Sequence, residues 1–151
     1  MSVYLLNIDR EVFSSFAFHG AILSAKMLVM PMMVSYQRQT KKVFANPEDA
    51  KAAGGIVDLN NDHVERVRRC QLNDVEGIYL HWFISGLYMC TKPEALIARR
   101  IFALYSASRI AHTIVYVGQI PQPARGITWF LGYFADIYMA LKVGMYFYRN
   151  L

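Results

Sequence analysis

Four stretches of the chain are apolar over enough consecutive positions to cross a bilayer, roughly 12–36, 66–90, 95–119 and 126–148. A helical crossing takes about 20 mostly apolar residues, so the pattern predicts an all-α protein. Residues 1–151 read as a single four-span integral membrane domain, a four-helix bundle with a hydrophilic loop over 37–65. The first stretch, VFSSFAFHGAILSAKMLVMPMMVSY, carries Gly20, Ala21, Ser24 and Ala25, small residues that let a neighbouring helix approach closely. His19, Lys26 and Pro31 interrupt it. The second begins amphipathic and charged at ERVRRCQLNDVEG and turns apolar at IYLHWFISGLYMC. The third opens with Arg99 and Arg100, and the fourth holds Asp136 and Lys142 within aromatic-rich sequence. Tyrosine and tryptophan gather near the ends of the stretches, as interfacial belts do. Met1 to Glu11 has no basic start and precedes an apolar run too long for a signal-peptide core, so the first stretch is expected to be retained.

Two helix starts are legible in the loop. In Asn46-Pro47-Glu48-Asp49 the asparagine can cap, the proline suits the first helical position and the acids complement the helix dipole. Gly54-Gly55 stops that short helix. In Asp62-His63-Val64-Glu65 an aspartate cap followed three residues later by glutamate makes a capping box. It is expected to open the second span, whose charged end then projects from the membrane.

Composition supports the membrane reading. Hydrophobic residues make up 55% of the chain and charged residues 18%, too apolar a balance for an ordinary soluble domain of this size. The net charge is +5, but the basic residues concentrate from Arg38 to Arg69 between apolar stretches. A membrane surface and an anionic ligand account for that clustering better than nucleic acid. Arg38, Lys41, Lys42 and Lys51 in the first loop, against Lys92 in the next, put loop 37–65 in the cytosol and both termini opposite. Cys70 and Cys90 lie on one helix about 30 Å apart and cannot bridge each other. Reactive thiols and small core residues are both open readings for them.

The chemistry-bearing residues cluster by helical spacing. Arg66, Arg69, Asn73 and Glu76 are spaced three, four and three, so they share one face of the second helix, with Arg68 nearby. Ionisable residues at membrane depth face a bundle interior or an aqueous cavity and mark function by default. A helix end with snorkelling arginines is the plainer alternative, against which Asn73 and Glu76 are too short to snorkel far. Arg109, His112 and Tyr116 repeat the pattern on the third helix. For His112 a core role and a ligand contact are equally open. Ile120-Pro121-Gln122-Pro123 then makes a rigid turn, and Arg125 begins the fourth span near the same mouth as Arg69. Several guanidinium groups, one carboxylate, an amide and a phenol suit a zwitterionic ligand with surplus negative charge. His19, His63, His81 and His112 are scattered, so no metal site is expected.

The stretches KKVFANPEDA, VERVRRCQLNDVEGI and ASRIAHTIVYVGQIPQPARG, with the four-span layout, resemble the MAPEG superfamily of membrane-associated proteins in eicosanoid and glutathione metabolism. The likeness covers nearly the whole chain and is strongest to the branch of microsomal glutathione transferases and prostaglandin E synthases. It implies a homotrimer in the endoplasmic reticulum membrane, with the mitochondrial outer membrane as a second compartment, and glutathione bound between subunits near the cytosolic face. By motif position Arg38, Arg69, Asn73, Glu76, His112, Tyr116 and Arg125 correspond to the family's glutathione contacts, and Arg68 to a paired arginine of the transferases. The resemblance implies conjugation of glutathione to hydrophobic electrophiles and reduction of lipid hydroperoxides. Arg125 would stabilise the thiolate and Tyr116 donate a hydrogen bond to sulfur. A prostaglandin E synthase-type isomerase and a non-enzymatic glutathione-binding membrane protein are the alternatives. The synthase pattern has arginine where this chain has Leu72 and serine where it has Gly126, which favours the transferase. Gln71 stands in place of a histidine, Gly77 in place of the transferase asparagine, and Ala50 in place of the mammalian transferase cysteine. Asp49 is shared by both patterns and also suits a helix start. Asp136 has no counterpart in the pattern, and a pairing with a lysine such as Lys26 is expected for it.

Overall fold

The apolar stretches become four long helices in the computed structural model, which describes residues 8–149 and 151. They are α1 (Arg10–Lys41), α3 (Asp62–Cys90), α4 (Ala95–Val117) and α5 (Ala124–Tyr148). A short helix, α2 (Pro47–Ala53), sits in the loop between two two-residue strands, β1 (Val43–Phe44) and β2 (Ile56–Val57), which pair in parallel. Of Met1 to Glu11, expected to precede the first span, only Ile8, Asp9, Arg10 and Glu11 lie within the described residues.

Local sequence explains most boundaries. Asp9 caps α1 by accepting from the amides of Glu11 and Val12 at 2.8 and 3.1 Å. The helix runs through Pro31 and continues to Lys41, beyond the expected end at residue 36, because Gln37 to Lys41 is polar but helix-compatible. Pro47 occupies the first turn of α2, and Gly54, left-handed at φ 63°, closes it. At α3 the structure corrects the expected cap. Asn61 holds that position and accepts from the His63 amide at 3.2 Å, so Asp62 is already helical. Glu65 is drawn instead to Arg68, at 3.1 Å.

Three core layers set the bundle. Val12, Tyr88, Met89, Ala98, Phe102 and Met139 form the first, at the start of α1 and α4 and toward the end of α3 and α5. Leu23, Ile78, Tyr105 and Ala135 form the middle layer. Met30, Val67 and Cys70, with Tyr116 and Val117 beside them, form the third, which resolves the Cys70 alternatives in favour of a core residue. Neighbouring helices therefore alternate in direction. Gly132 lets α4 and α5 approach closely, since a Cβ there would sit 2.8 Å from Ser108 Oγ.

The outer surface of the helices carries many large apolar side chains. Phe18, Leu28, Met32, Phe83, Ile114, Phe134 and Leu141 are each at least 60% exposed. In water such a belt would drive aggregation, whereas in a bilayer it faces its own solvent. Among the described residues, α1 is the one helix that qualifies as a membrane crossing by length and apolar composition.

Candidate functional site

The row of α3 that faces the bundle is Val64, Val67, Cys70, Asp74, Ile78 and His81. The charged interior residue is thus Asp74, one position from the polar face read in the sequence. Lys26 of α1 donates to one oxygen of Asp74. Arg109 of α4 donates to the other at 2.6 Å, and the same nitrogen reaches Asn73 Oδ1 at 2.8 Å and the Asn73 carbonyl at 2.9 Å. This triad ties three helices together, and its two cations exceed its one anion. Asp74 was not among the residues expected from the sequence, because the sequence alone does not tell which of Asn73 and Asp74 turns inward.

A second buried pair corrects the partner expected for Asp136. His81 Nδ1 lies 2.7 Å from Asp136 Oδ1, and the His81 ring stacks on Tyr105 at 3.5 Å and 8°. Lys26 is already committed to Asp74, so Asp136 finds its partner across α3 and α5 rather than from α1.

The predicted contacts fall into separate groups. His112, Tyr116 and Arg125 come together where α4 meets the start of α5. His112 Nδ1 lies 3.2 Å from the Arg125 carbonyl and 3.2 Å from Thr128 Oγ1, and its ring centre is 5.6 Å from that of Tyr116. The Arg125 guanidinium sits over the Tyr116 ring at 5.1 Å. A carbonyl only accepts, so His112 carries its proton on Nδ1 and leaves Nε2 as an acceptor. Asn73 belongs to the Arg109 network. Glu76 is exposed at the rim of a cavity of about 190 Å³ that Asn73, Gly77, Tyr105, Arg109 and Asp136 also line. A Cβ at Gly77 would stand 3.3 Å from Tyr105 Oη, so the glycine keeps this cavity open.

Arg38 shares a cleft of about 420 Å³ with Phe44 and Asp49 at the loop end of α1. Arg68 is bound to Glu65, and Arg69 is exposed without an ion pair among the described residues. Arg69 and Glu76 are thus exposed and Arg66 is half-buried, while Asn73 turns its side chain to Arg109. No hydrogen bond or ion pair among the described residues joins Arg38, Arg68, Arg69 or Glu76 to the His112 group.

Buried polar atoms without partners call for a water, a ligand or a neighbouring subunit to complete them. Among the described residues these are Ser15 Oγ, His19 Nδ1, Arg38 Nη1, Arg109 Nε and His112 Nε2. Two of them, on Arg38 and His112, belong to the contacts expected from sequence, and a third is on Arg109 beside Asn73. Donors on Arg38 and Arg109 with an acceptor on His112 fit a ligand bearing both carboxylates and an ammonium. No group of three or more His, Cys, Asp or Glu converges on a metal position among the described residues.

A helical bundle with an apolar exterior and buried ion pairs is the architecture of a membrane protein. Residues 16–145 match the MAPEG family, and the chain belongs to it. It is 40% identical over 141 residues to "Microsomal glutathione S-transferase 1" of Homo sapiens, covering 90% of this chain and 91% of that one. It is 35% identical over 137 residues to "Prostaglandin E synthase" of Bos taurus, covering 90% of each chain. The human "Prostaglandin E synthase" is 33% identical over 144 residues, covering 95% of each.

Proposed function

We propose that the protein is a glutathione transferase of the membrane, conjugating glutathione to hydrophobic electrophiles and reducing lipid hydroperoxides. The observation that carries this reading is Arg125, a guanidinium held over Tyr116 with no carboxylate partner among the described residues, beside the unpartnered Nε2 of His112. A free thiol ionises at a pKa of about 8.5, and a neighbouring cation lowers that value by favouring the anion. Arg125 stabilises the thiolate, and the Tyr116 hydroxyl donates to sulfur. In conjugation the sulfur forms a bond to the electrophilic carbon and the leaving group departs as an anion. In peroxide reduction two glutathiones become one disulfide while the hydroperoxide becomes an alcohol and water.

Arg38, Asn73, Glu76 and His112, with Arg68 and Arg69, hold the carboxylates and ammonium of glutathione. The separation of these residues within one chain supports a homotrimer in which neighbouring subunits complete each site. The four long helices are its spans, loop 37–65 is cytosolic, and the endoplasmic reticulum membrane is its compartment, with the mitochondrial outer membrane as a second. The similarity to prostaglandin E synthases keeps an isomerase as the second reading.

Purified protein given glutathione and 1-chloro-2,4-dinitrobenzene is expected to form the conjugate, and given a lipid hydroperoxide to form the alcohol. Absence of both products overturns the transferase reading. Release of prostaglandin E from its endoperoxide without net glutathione consumption would establish the isomerase instead.

A further inference from the structure

The other two unpartnered buried atoms lie far from this site. Ser15 Oγ and His19 Nδ1 line a cleft of about 940 Å³ between the beginnings of α1 and α4, at the end of the bundle opposite loop 37–65. The 32-residue α1 separates the two ends by roughly 48 Å at 1.5 Å per residue.

Arg10 on α1 and Arg99 and Arg100 on α4 stand around the same cleft. None of the three forms an ion pair or a side-chain hydrogen bond among the described residues. Glu11 is the one acid on the lining, so the cleft carries an excess of two positive charges. Ser15 is 8% exposed, and its hydroxyl finds no acceptor, although a serine in a helix can ordinarily return its proton to the preceding turn. Ser24 does so, to the Gly20 carbonyl at 2.8 Å. Ser15 and His19 are one turn apart, so both orphaned atoms fall on one row of α1 that leads inward from the arginines. Phe18, 63% exposed, and Leu96, 45% exposed, form apolar walls beside them.

We propose that this cleft binds a phosphate group, with Arg10, Arg99 and Arg100 neutralising its charge and the Ser15 hydroxyl donating to one of its oxygens. Guanidinium forks match phosphate oxygens, and a buried hydroxyl donor that lacks an acceptor is satisfied by the same group. The phosphate can be that of an anionic phospholipid, whose chains would follow Phe18 and Leu96, or a soluble phosphate. The inference is independent of the transferase reading, because no residue of the cleft belongs to the glutathione site.

The test uses full-length protein in detergent, stripped of lipid, beside an Arg99→Ala/Arg100→Ala variant and a Ser15→Ala variant. Native mass spectrometry follows binding of phosphatidylglycerol and phosphatidylcholine offered in equal amounts. Thermal unfolding with inorganic phosphate against chloride of matched ionic strength follows the soluble source. Preference for phosphatidylglycerol by about tenfold, lost in the double variant and weakened in Ser15→Ala, supports the site with lipid as the source. Stabilisation by inorganic phosphate alone, lost in the double variant, supports it with a soluble source. Equal responses of wild type and both variants in both arms overturn it. Glutathione conjugation in the double variant is expected to match wild type, which also shows that the variant folds.

Discussion

His112 Nδ1 on α4 and the backbone carbonyl of Arg125 on α5 lie 3.2 Å apart. One imidazole thereby fixes the first turn of the helix that carries Arg125, while its other nitrogen is buried without a partner among the described residues. In the proposed site, position and ligand contact come from the two sides of the same ring.

Replacing His112 with phenylalanine removes both roles without emptying the volume. Loss of a buried hydrogen bond of about 1.4 kcal/mol corresponds to roughly tenfold weaker glutathione binding. Calorimetric titration of the detergent-solubilised variant is expected to report that loss. Unchanged affinity would remove His112 from the ligand site.

Asp74 answers two buried cations, Lys26 and Arg109. Asp74→Ala leaves both uncompensated, a loss on the order of 3–5 kcal/mol. Unfolding in denaturant is expected to show it, with Asp74→Asn intermediate because an acceptor remains. A change below about 0.5 kcal/mol would put the variant among ordinary surface substitutions and contradict the triad.

His81 and Asp136 form a pair that can be separated from its surroundings by a double-mutant cycle. His81→Phe and Asp136→Leu are each expected to destabilise, because each strands a buried polar partner. Together they are expected to cost less than the sum, by about 0.5–3 kcal/mol. Strict additivity would show that the two residues do not interact.

Gly132→Ala puts a methyl group 2.8 Å from Ser108 Oγ and 3.4 Å from the Tyr105 ring. Forcing the helices apart is expected to lower stability by about 1–3 kcal/mol. Adding Ser108→Ala removes the nearer obstacle and is expected to recover part of that loss. No recovery would place the strain at Tyr105.

Long apolar runs made the four helices readable, and Asn46, Pro47 and Gly54 made the short one readable, because each acts locally. Helix ends were harder. Asn61 and Asp62 are both competent caps, and the choice between them depends on how the chain arrives from β2. The buried ion pairs were hardest. Nothing local distinguishes Asp74 from Asn73, since only the packing of α1 and α4 buries the first and leaves the second half-buried beside Arg109. The same holds for Asp136, whose expected lysine was claimed by another acid. Motif position marked His112, Tyr116 and Arg125 together, and the chain path through the Ile120 to Pro123 turn brings them into contact. The remaining arginines have no such local reason to meet within one chain.

The central claim is that Arg125 holds glutathione as a thiolate, and an ultraviolet difference titration of the purified protein with glutathione addresses it directly. Wild type is expected to produce thiolate absorbance near neutral pH, below the range in which free glutathione ionises, and Arg125→Ala to bind glutathione without it. Thiolate of equal intensity in both proteins, or glutathione bound by wild type with its thiol un-ionised, would contradict the account.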